Sequence, residues 1–169
     1  MRIELHFGDI TEYKADCIVN AARNSLLGGG GVDGAIHKAA GSDLKEFCKT
    51  LGSCKVGEAK LSPAFKLPSK FIIHTVGPRF LFKNNEEIQD LKNCYSNSLK
   101  IASQEKFETL VFSNISTGVY GFPKDLAAKY SFEVISNYLI QNEYPKKVVL
   151  CCYDLENLQL YINIFKEIK

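Results

Sequence analysis

Four glycines in a row, Gly28 to Gly31, stand between an apolar run that rises to Asn20 and a helix-like pattern that begins at once with Val32-Asp33-Gly34-Ala35-Ile36-His37. Consecutive glycines bring a backbone close to a ligand and leave N–H groups free to donate. Placed before a helix they form a cradle for phosphate, because a helix N-terminus favours negative charge. A plain surface turn needs one or two glycines, not four. The common phosphate motifs do not fit. No Gly-Lys-Ser/Thr follows, and there is no G-x-G-x-x-G with an acid about 20 residues on. The one ionisable side chain in the cradle is Asp33, an acid where an anion should bind.

A length of 169 residues fits a single domain, residues 1–169, with enough chain for one real core. Hydrophobic residues at 46% and charged residues at 24% read as soluble and globular. The net charge of +2 is too small to imply nucleic acid or a membrane surface, and neither partner is expected. No run approaches the roughly 20 apolar residues of a membrane span, and Arg2 and Glu4 do not begin a signal peptide. The six cysteines, at 17, 48, 54, 94, 151 and 152, form no C-x-x-C pair and no zinc spacing with histidine. They read as free thiols in a reducing compartment, which makes the cytoplasm the expected location and leaves no metal or cofactor in prospect.

Along the chain, strand-like runs alternate with helical ones. Residues 2–7 alternate as an edge strand, 15–22 read as a buried strand, and 34–40 as a short helix closed by Gly41 in a left-handed cap. Ser42-Asp43 signals the start of a second helix, and 56–62 give a weak strand. Residues 70–76 form a confident strand, followed by a long helix with Asn84 and Glu87 as its N-terminal pair. A strand over 109–114 runs into the loop Ser116-Thr117-Gly118-Val119-Tyr120. Pro123 opens a helix with Ala127, Tyr130, Val134, Ile135, Tyr138 and Leu139 on one side. A last strand over 148–153 leads to a helix capped by Asp154, with Leu158, Ile162 and Phe165 inward. The alternation predicts an α/β layered domain with a parallel or mixed sheet. Ligands of open α/β sheets sit beyond the carboxyl ends of strands. The glycine loop and the 116–120 loop both follow strands, so they can flank one elongated ligand.

Each candidate carries two readings. Asp33 is either a first-turn acid that satisfies the helix dipole or a group that orients or deprotonates a water. Asp9 is a turn former or an acceptor for an amino group at the far end of the ligand. Asn20 pins its loop through backbone hydrogen bonds or recognises a ligand hydroxyl. Tyr120 sits where its ring can lie over a sugar. His6, His37 and His74 read as structural, because no partner motif accompanies them. Cys151-Cys152 reads as inert strand packing.

Taken together, Gly8-Asp9-Ile10-Thr11, the run from Ala15 to Ala22, Leu26 to His37, Ile73 to Pro78 and Ile115 to Pro123 resemble a macrodomain of the MacroD type. Cys152-Tyr153-Asp154 fits the close of bacterial members, and the resemblance covers essentially the whole chain. It implies a three-layer α/β/α fold with a mixed central sheet that binds ADP-ribose. By position, Asp9 would accept from the adenine amino group, with Ile10 and Tyr153 beside the ring. Gly31, Val32 and Ser116, Thr117, Gly118, Val119 and Tyr120 would face the diphosphate. Asn20 and Tyr120 would border the distal ribose.

The resemblance also implies substrates: O-acetyl-ADP-ribose and proteins mono-ADP-ribosylated on acidic side chains. Asp33 would activate the water, with Tyr120 in support and no metal. The chain departs from the family pattern at Arg23, ten residues before Asp33, where an Asn is usual. A permanently charged donor cannot copy an amide that both donates and accepts. Arg23 is open to three readings: it binds a phosphate or the substrate carboxylate, it pairs with Asp33, or it turns outward while Asn24 takes part of the amide's place. A reader module that binds ADP-ribose with little turnover is the alternative to a hydrolase.

Overall fold

Six strands and five α-helices make up the computed structural model, which describes residues 1–168. The strands are β1 (Ile3–Phe7), β2 (Cys17–Ala21), β3 (Ala59–Pro63), β4 (Phe71–Thr75), β5 (Thr109–Phe112) and β6 (Lys147–Cys152). They form one sheet in the order β1-β6-β5-β2-β4-β3, parallel throughout except for the antiparallel pair β3 and β4. The mixed sheet is the one expected. β2 lies in its middle with register Asn20↔His74 towards β4 and Val19↔Phe112 towards β5.

The helices are α1 (Gly31–Ala40), α2 (Ser42–Leu51), α3 (Asn85–Gln104), α4 (Lys124–Gln141) and α5 (Leu155–Glu167). Two separate apolar layers explain the three-layer build. Cys17 and Val19 of β2 pack with Leu91, Leu99, Ile135 and Tyr161 of α3, α4 and α5. Ile18, between them, faces Ile36, Ala40, Leu44 and Cys48 of α1 and α2. A central strand covered on both faces must be apolar on both, which is why this run shows no alternation. Asn20 is the next residue on the α1 side, so the step from apolar to polar happens directly under that helix.

The structure moves several expected boundaries. α1 begins at Gly31 rather than Gly34, because Gly30 is its N-cap and Gly34 N–H already donates to Gly30 O at 3.2 Å. Gly41 does close α1 with a positive φ of 89°, but its ψ of 174° is extended, and Gly41 rather than Ser42 caps α2. The weak strand expected at 56–62 is Ala59–Pro63, and Val56 makes only an isolated bridge to Val76. In α4 the buried face runs through Ala127, Ala128, Ser131, Ile135 and Leu139, so Tyr130 lies off it, beside Lys92. In α5 Leu158 and Phe165 pack against the core as expected and Ile162 does not, while the fully covered residues are Asn157 and Tyr161. Tyr161 bonds Ser131 at 2.6 Å, so the buried contact between α4 and α5 includes a polar pair. The capping box of Asn84 and Glu87 and the Asp154 cap form as expected.

Candidate functional site

The carboxyl ends of the parallel strands β1, β6, β5, β2 and β4 lie side by side, and their exit loops enclose a cleft of about 740 Å³. The strand order sets the order of the lining groups. Asp9 and Ile10 follow β1, Tyr153 follows β6, the 113–120 loop follows β5, Ala22 and Arg23 follow β2, and Gly77 and Arg79 follow β4. The N-terminus of α1, from Gly30 to Asp33, lies along the same cleft. The two small-residue loops therefore face one cavity, as their positions after strands required.

The middle of the cleft is built for an anion. The first N–H groups of α1 have no acceptor within their own helix, and Gly30 caps it without a side chain. Gly31 at φ 58° and Ser116 at φ 64° are both left-handed, the conformation that turns successive N–H groups into one concavity. Among the described residues, the N–H groups of Thr117, Gly118 and Val119 donate to no protein acceptor, while Phe122 N–H to Ser116 O (2.9 Å) holds that loop's shape. Gly77 is small because a Cβ there would strike Ser116 and Ile115 of the neighbouring loop.

At the β1 end Asp9 is the turn former that one of its readings expected. Its Oδ1 accepts from Thr11 N–H (2.9 Å) and Thr11 Oγ1 (2.7 Å), which builds the 3-10 turn over Ile10–Glu12. The carboxylate still lines the cleft. Ile10 is buried beside it, and Tyr153 stands 79% exposed at the mouth, free to cover a flat ring.

Asp33 lies on the floor, only 2% exposed. Its Oδ1 accepts from Asn20 Nδ2 at 2.9 Å, and its Oδ2 has no partner within the protein. Burial raises its pKa above the ordinary value of 3.8, against the lowering by the Asn20 hydrogen bond, His37 and Arg23. Burial thus outweighs the hydrogen bond and the neighbouring charges, a balance that sequence could not decide. His37, one turn on, places Nε2 at 3.5 Å from Asp33 Oδ1, and burial lowers its pKa, so the pair is not a full ion pair.

Behind Asp33 runs a buried chain of polar groups. Asn20 Nδ2 also lies 3.1 Å from His74 Nδ1, and Ser62 Oγ lies 2.7 Å from His74 Nε2. An amide donor at Nδ1 makes that nitrogen an acceptor, so the ring proton sits on Nε2 and points at Ser62. Ser62 Oγ in turn donates to Pro63 O at 3.0 Å. Burial holds His74 neutral, its pKa pushed down to about 3.

Four expectations change here. Asn20 is fully buried and does not line the cleft, nor does its side chain pin the loop through backbone hydrogen bonds; it orients Asp33. His37 and His74 are partners of Asp33 and Asn20 rather than isolated structural histidines; the i,i+4 spacing from Asp33 was a readable signal for His37. The register that sets His74 beside Asn20 was not readable. Asn24 does not stand in for an amide, because its Nδ2 donates to Cys54 O (3.0 Å) away from the cleft. Arg23 makes no ion pair with Asp33 among the described residues; its stem lies over Gly29, where a Cβ would be 2.5 Å from Arg23 Cδ and 3.1 Å from Asp33 Oδ2. Arg79, not singled out from sequence, places its guanidinium 4.9 Å from the centre of the Tyr120 ring.

All six cysteines are free and buried, and no helix among the described residues is long and apolar enough to cross a membrane. Among the described residues no three His, Cys, Asp or Glu side chains converge as a metal cage.

Residues 19–131 match the family model described as Macro domain. An O-acetyl-ADP-ribose deacetylase of Enterobacter sp. is 48% identical over 164 residues, 95% of this chain and 91% of that protein. A mutant of the Oceanobacillus iheyensis macrodomain, solved with ADPR, superimposes with a TM-score of 0.94 at 38% identity, over 98% of this chain and 92% of that one. The Trypanosoma brucei macrodomain in complex with ADP-ribose gives 0.91 at 33% identity, over 97% of this chain and 69% of that one.

Proposed function

Because the chain belongs to the macrodomain family, we propose that it binds ADP-ribose along this cleft and hydrolyses esters on the distal ribose, in O-acetyl-ADP-ribose and in proteins modified on Glu or Asp. One observation carries the catalytic half: a buried carboxylate at the cleft floor whose Oδ1 is fixed by Asn20 and whose Oδ2 is left without a partner. Leaving a buried acceptor unpaired costs about 1–3 kcal/mol. A water at Oδ2 would recover that cost and be aimed by it.

The adenine fits between Asp9, Ile10 and Tyr153. The diphosphate fits the concavity between α1 and the 116–119 loop, and the distal ribose lies against Tyr120 and above Asp33. Asp33, with its raised pKa, is a better base than a solvated carboxylate when it is ionised. It takes the proton of the attacking water. In a Glu- or Asp-linked ribose the water attacks the anomeric carbon, the bond to the side-chain oxygen breaks, and a carboxylate leaves that needs little protonation; in O-acetyl-ADP-ribose the water attacks the acetyl carbonyl, acetate forms, and the departing ribose oxygen takes back the proton that Asp33 accepted. The scheme uses no metal and no cofactor, and a reducing, cytoplasmic setting suits six free thiols.

The test is a paired measurement on one sample: calorimetric ADP-ribose binding and a time course of O-acetyl-ADP-ribose and Glu-linked ADP-ribose hydrolysis. Asp33→Asn is expected to bind ADP-ribose while losing at least about a hundredfold in hydrolysis. Full hydrolysis by that variant would sink the assignment of Asp33.

Arg23 favours a second reading, a binding module with little turnover. Its stem lies over the glycine loop next to Asp33 Oδ2, in the space a catalytic water would approach through. Tight ADP-ribose binding with no product from the wild type, and recovery of turnover in Arg23→Asn, would establish that reading instead.

A further inference from the structure

The two ends of the cleft carry opposite charge. At the β1 and β6 end stand Asp9 and Asp154, the latter shared with Lys124 at 3.6 Å and Asn157 at 2.8 Å. At the β2 and β4 end stand Arg23 and Arg79, both exposed, both lining the cleft, and neither paired with a carboxylate among the described residues. Asp33, which lines the same cleft, is buried and already held by Asn20. Arg79 is not a loose surface arginine. Its guanidinium lies over the Tyr120 ring, and Phe80 N–H donates to Tyr120 O at 2.9 Å, so the β4 and β5 exit loops move together. A stacked guanidinium keeps its in-plane N–H donors free for a carboxylate.

Directly beyond Arg79 the chain presents Leu81 and Phe82, 67% and 81% exposed. The backbone that carries them is pinned. Glu87, itself 7% exposed, accepts from Leu81 N–H (2.7 Å), Phe82 N–H (2.9 Å) and Asn84 N–H (3.4 Å). A buried carboxylate spent on holding two large apolar side chains in water is a costly arrangement unless something covers them.

We propose that Arg23, Arg79, Leu81 and Phe82 form a peptide subsite at the distal-ribose end of the cleft, which selects acidic polypeptide around the modified residue. The proposal rests on the ADP-ribose reading of the cleft given above and names its substrate class. The arginines pair with Asp or Glu side chains next to the ADP-ribosylated residue, and Leu81 and Phe82 cover the peptide's apolar groups. Charge complementarity commits the rim to an acidic peptide, because the two exposed charged side chains that line the cleft at that end, Arg23 and Arg79, are both cations.

The experiment uses three substrates: a Glu-linked ADP-ribosyl peptide with Asp and Glu flanks, the same peptide with Ser and Gly flanks, and O-acetyl-ADP-ribose, which has no peptide. The wild type is expected to prefer acidic over neutral flanks by about fivefold in kcat/KM at low salt, with the preference fading in high salt. Arg79→Gln is expected to bring that ratio close to one, and Arg79→Lys to keep part of it. Phe82→Ser is expected to lower kcat/KM for both peptides and leave O-acetyl-ADP-ribose unchanged.

A flank ratio of one in the wild type overturns the proposal. So does an Arg79→Gln variant that slows all three substrates equally with its ratio intact, because Arg79 would then act only through Tyr120. If the wild type hydrolyses none of the three, the hydrolase reading fails by itself. The subsite is then read by calorimetry with a non-cleavable ADP-ribosyl peptide, and tighter binding of the acidic-flank form than of free ADP-ribose supports it. Equal binding rejects it.

Discussion

Asp33 has two oxygens in different circumstances, and its behaviour follows from the difference. One is held by Asn20 and the other is buried with no partner. The folded protein carries this acid at a raised pKa, so it binds that proton more tightly than the unfolded chain does. Ionised Asp33 therefore costs stability at pH 7, and that cost disappears as pH falls through the raised value towards 3.8. Asp33→Asn is expected to raise Tm at pH 7.5, by an amount that shrinks on acidification. A thermal melt across pH checks it; a lower Tm at pH 7.5 would remove the strain from the account. His74 has the opposite sign. Its pKa is depressed to about 3, so the stability it contributes is complete above the unfolded value of 6.5 and is lost as pH falls. Urea unfolding is expected to show stability declining below about pH 6.5, with a flatter decline in His74→Gln.

At the scale of elements, the junction of β2 and α1 depends on one close approach. A Cβ at Gly34 would lie 2.5 Å from the backbone oxygen of Gly29, which cannot rotate away. At Gly29 a Cβ would meet the flexible Arg23 stem and, at 3.1 Å, Asp33 Oδ2, and at Gly30 it would meet nothing within 4 Å. Alanine variants at Gly34 and Gly30 should therefore separate. Gly34→Ala is expected to lift the glycine loop from the helix, cost about 1–3 kcal/mol, and weaken ADP-ribose binding at least about tenfold. Gly30→Ala is expected to fold with wild-type stability to within about 1 kcal/mol. Equal behaviour of the two in melting and calorimetry would mean that the loop does not rest on the helix. The run of four glycines announced the loop from sequence alone. The glycine that the packing most requires is the next one along, inside the helix, where sequence reading sees only a weak helix former.

For the molecule as a whole, the clamp that joins the start of the chain to its late segments is Arg2. Its guanidinium donates to the carbonyls of Leu139 (2.6 Å), Asn142 (2.9 Å), Glu143 (2.7 Å), Lys146 (3.0 Å) and Pro145. These carbonyls belong to the end of α4 and the turn into β6, the neighbour of β1. A cation there answers the open carbonyls of a helix C-terminus as well as fixing an edge strand. Arg2→Ala is expected to lower Tm by roughly 5–10 °C, since charged hydrogen bonds contribute about 1.5–3 kcal/mol each when buried and less when exposed. Arg2→Lys should recover only a fraction, because an ammonium cannot span the fork. A wild-type melt for Arg2→Ala would show the clamp to be without effect. From sequence Arg2 read only as the polar side of an edge strand, because every one of its acceptors lies more than 130 residues away.

The amino-acid sequence by itself determined the alternation of strands and helices, the glycine loop and its acid, and the two loops that had to meet at one sheet edge. Those features are local: periodicity, caps and glycine are written within a few residues of where they act. Tertiary structure alone decided what Asp33 experiences. Its raised pKa comes from burial, its orientation from Asn20, and Asn20's own position from a register with His74 54 residues away. The exposure of Arg23 and the stacking of Arg79 on Tyr120 were likewise settled by which strands lie side by side. Desolvation and strand register are properties of the assembled fold, so no window of sequence contains them.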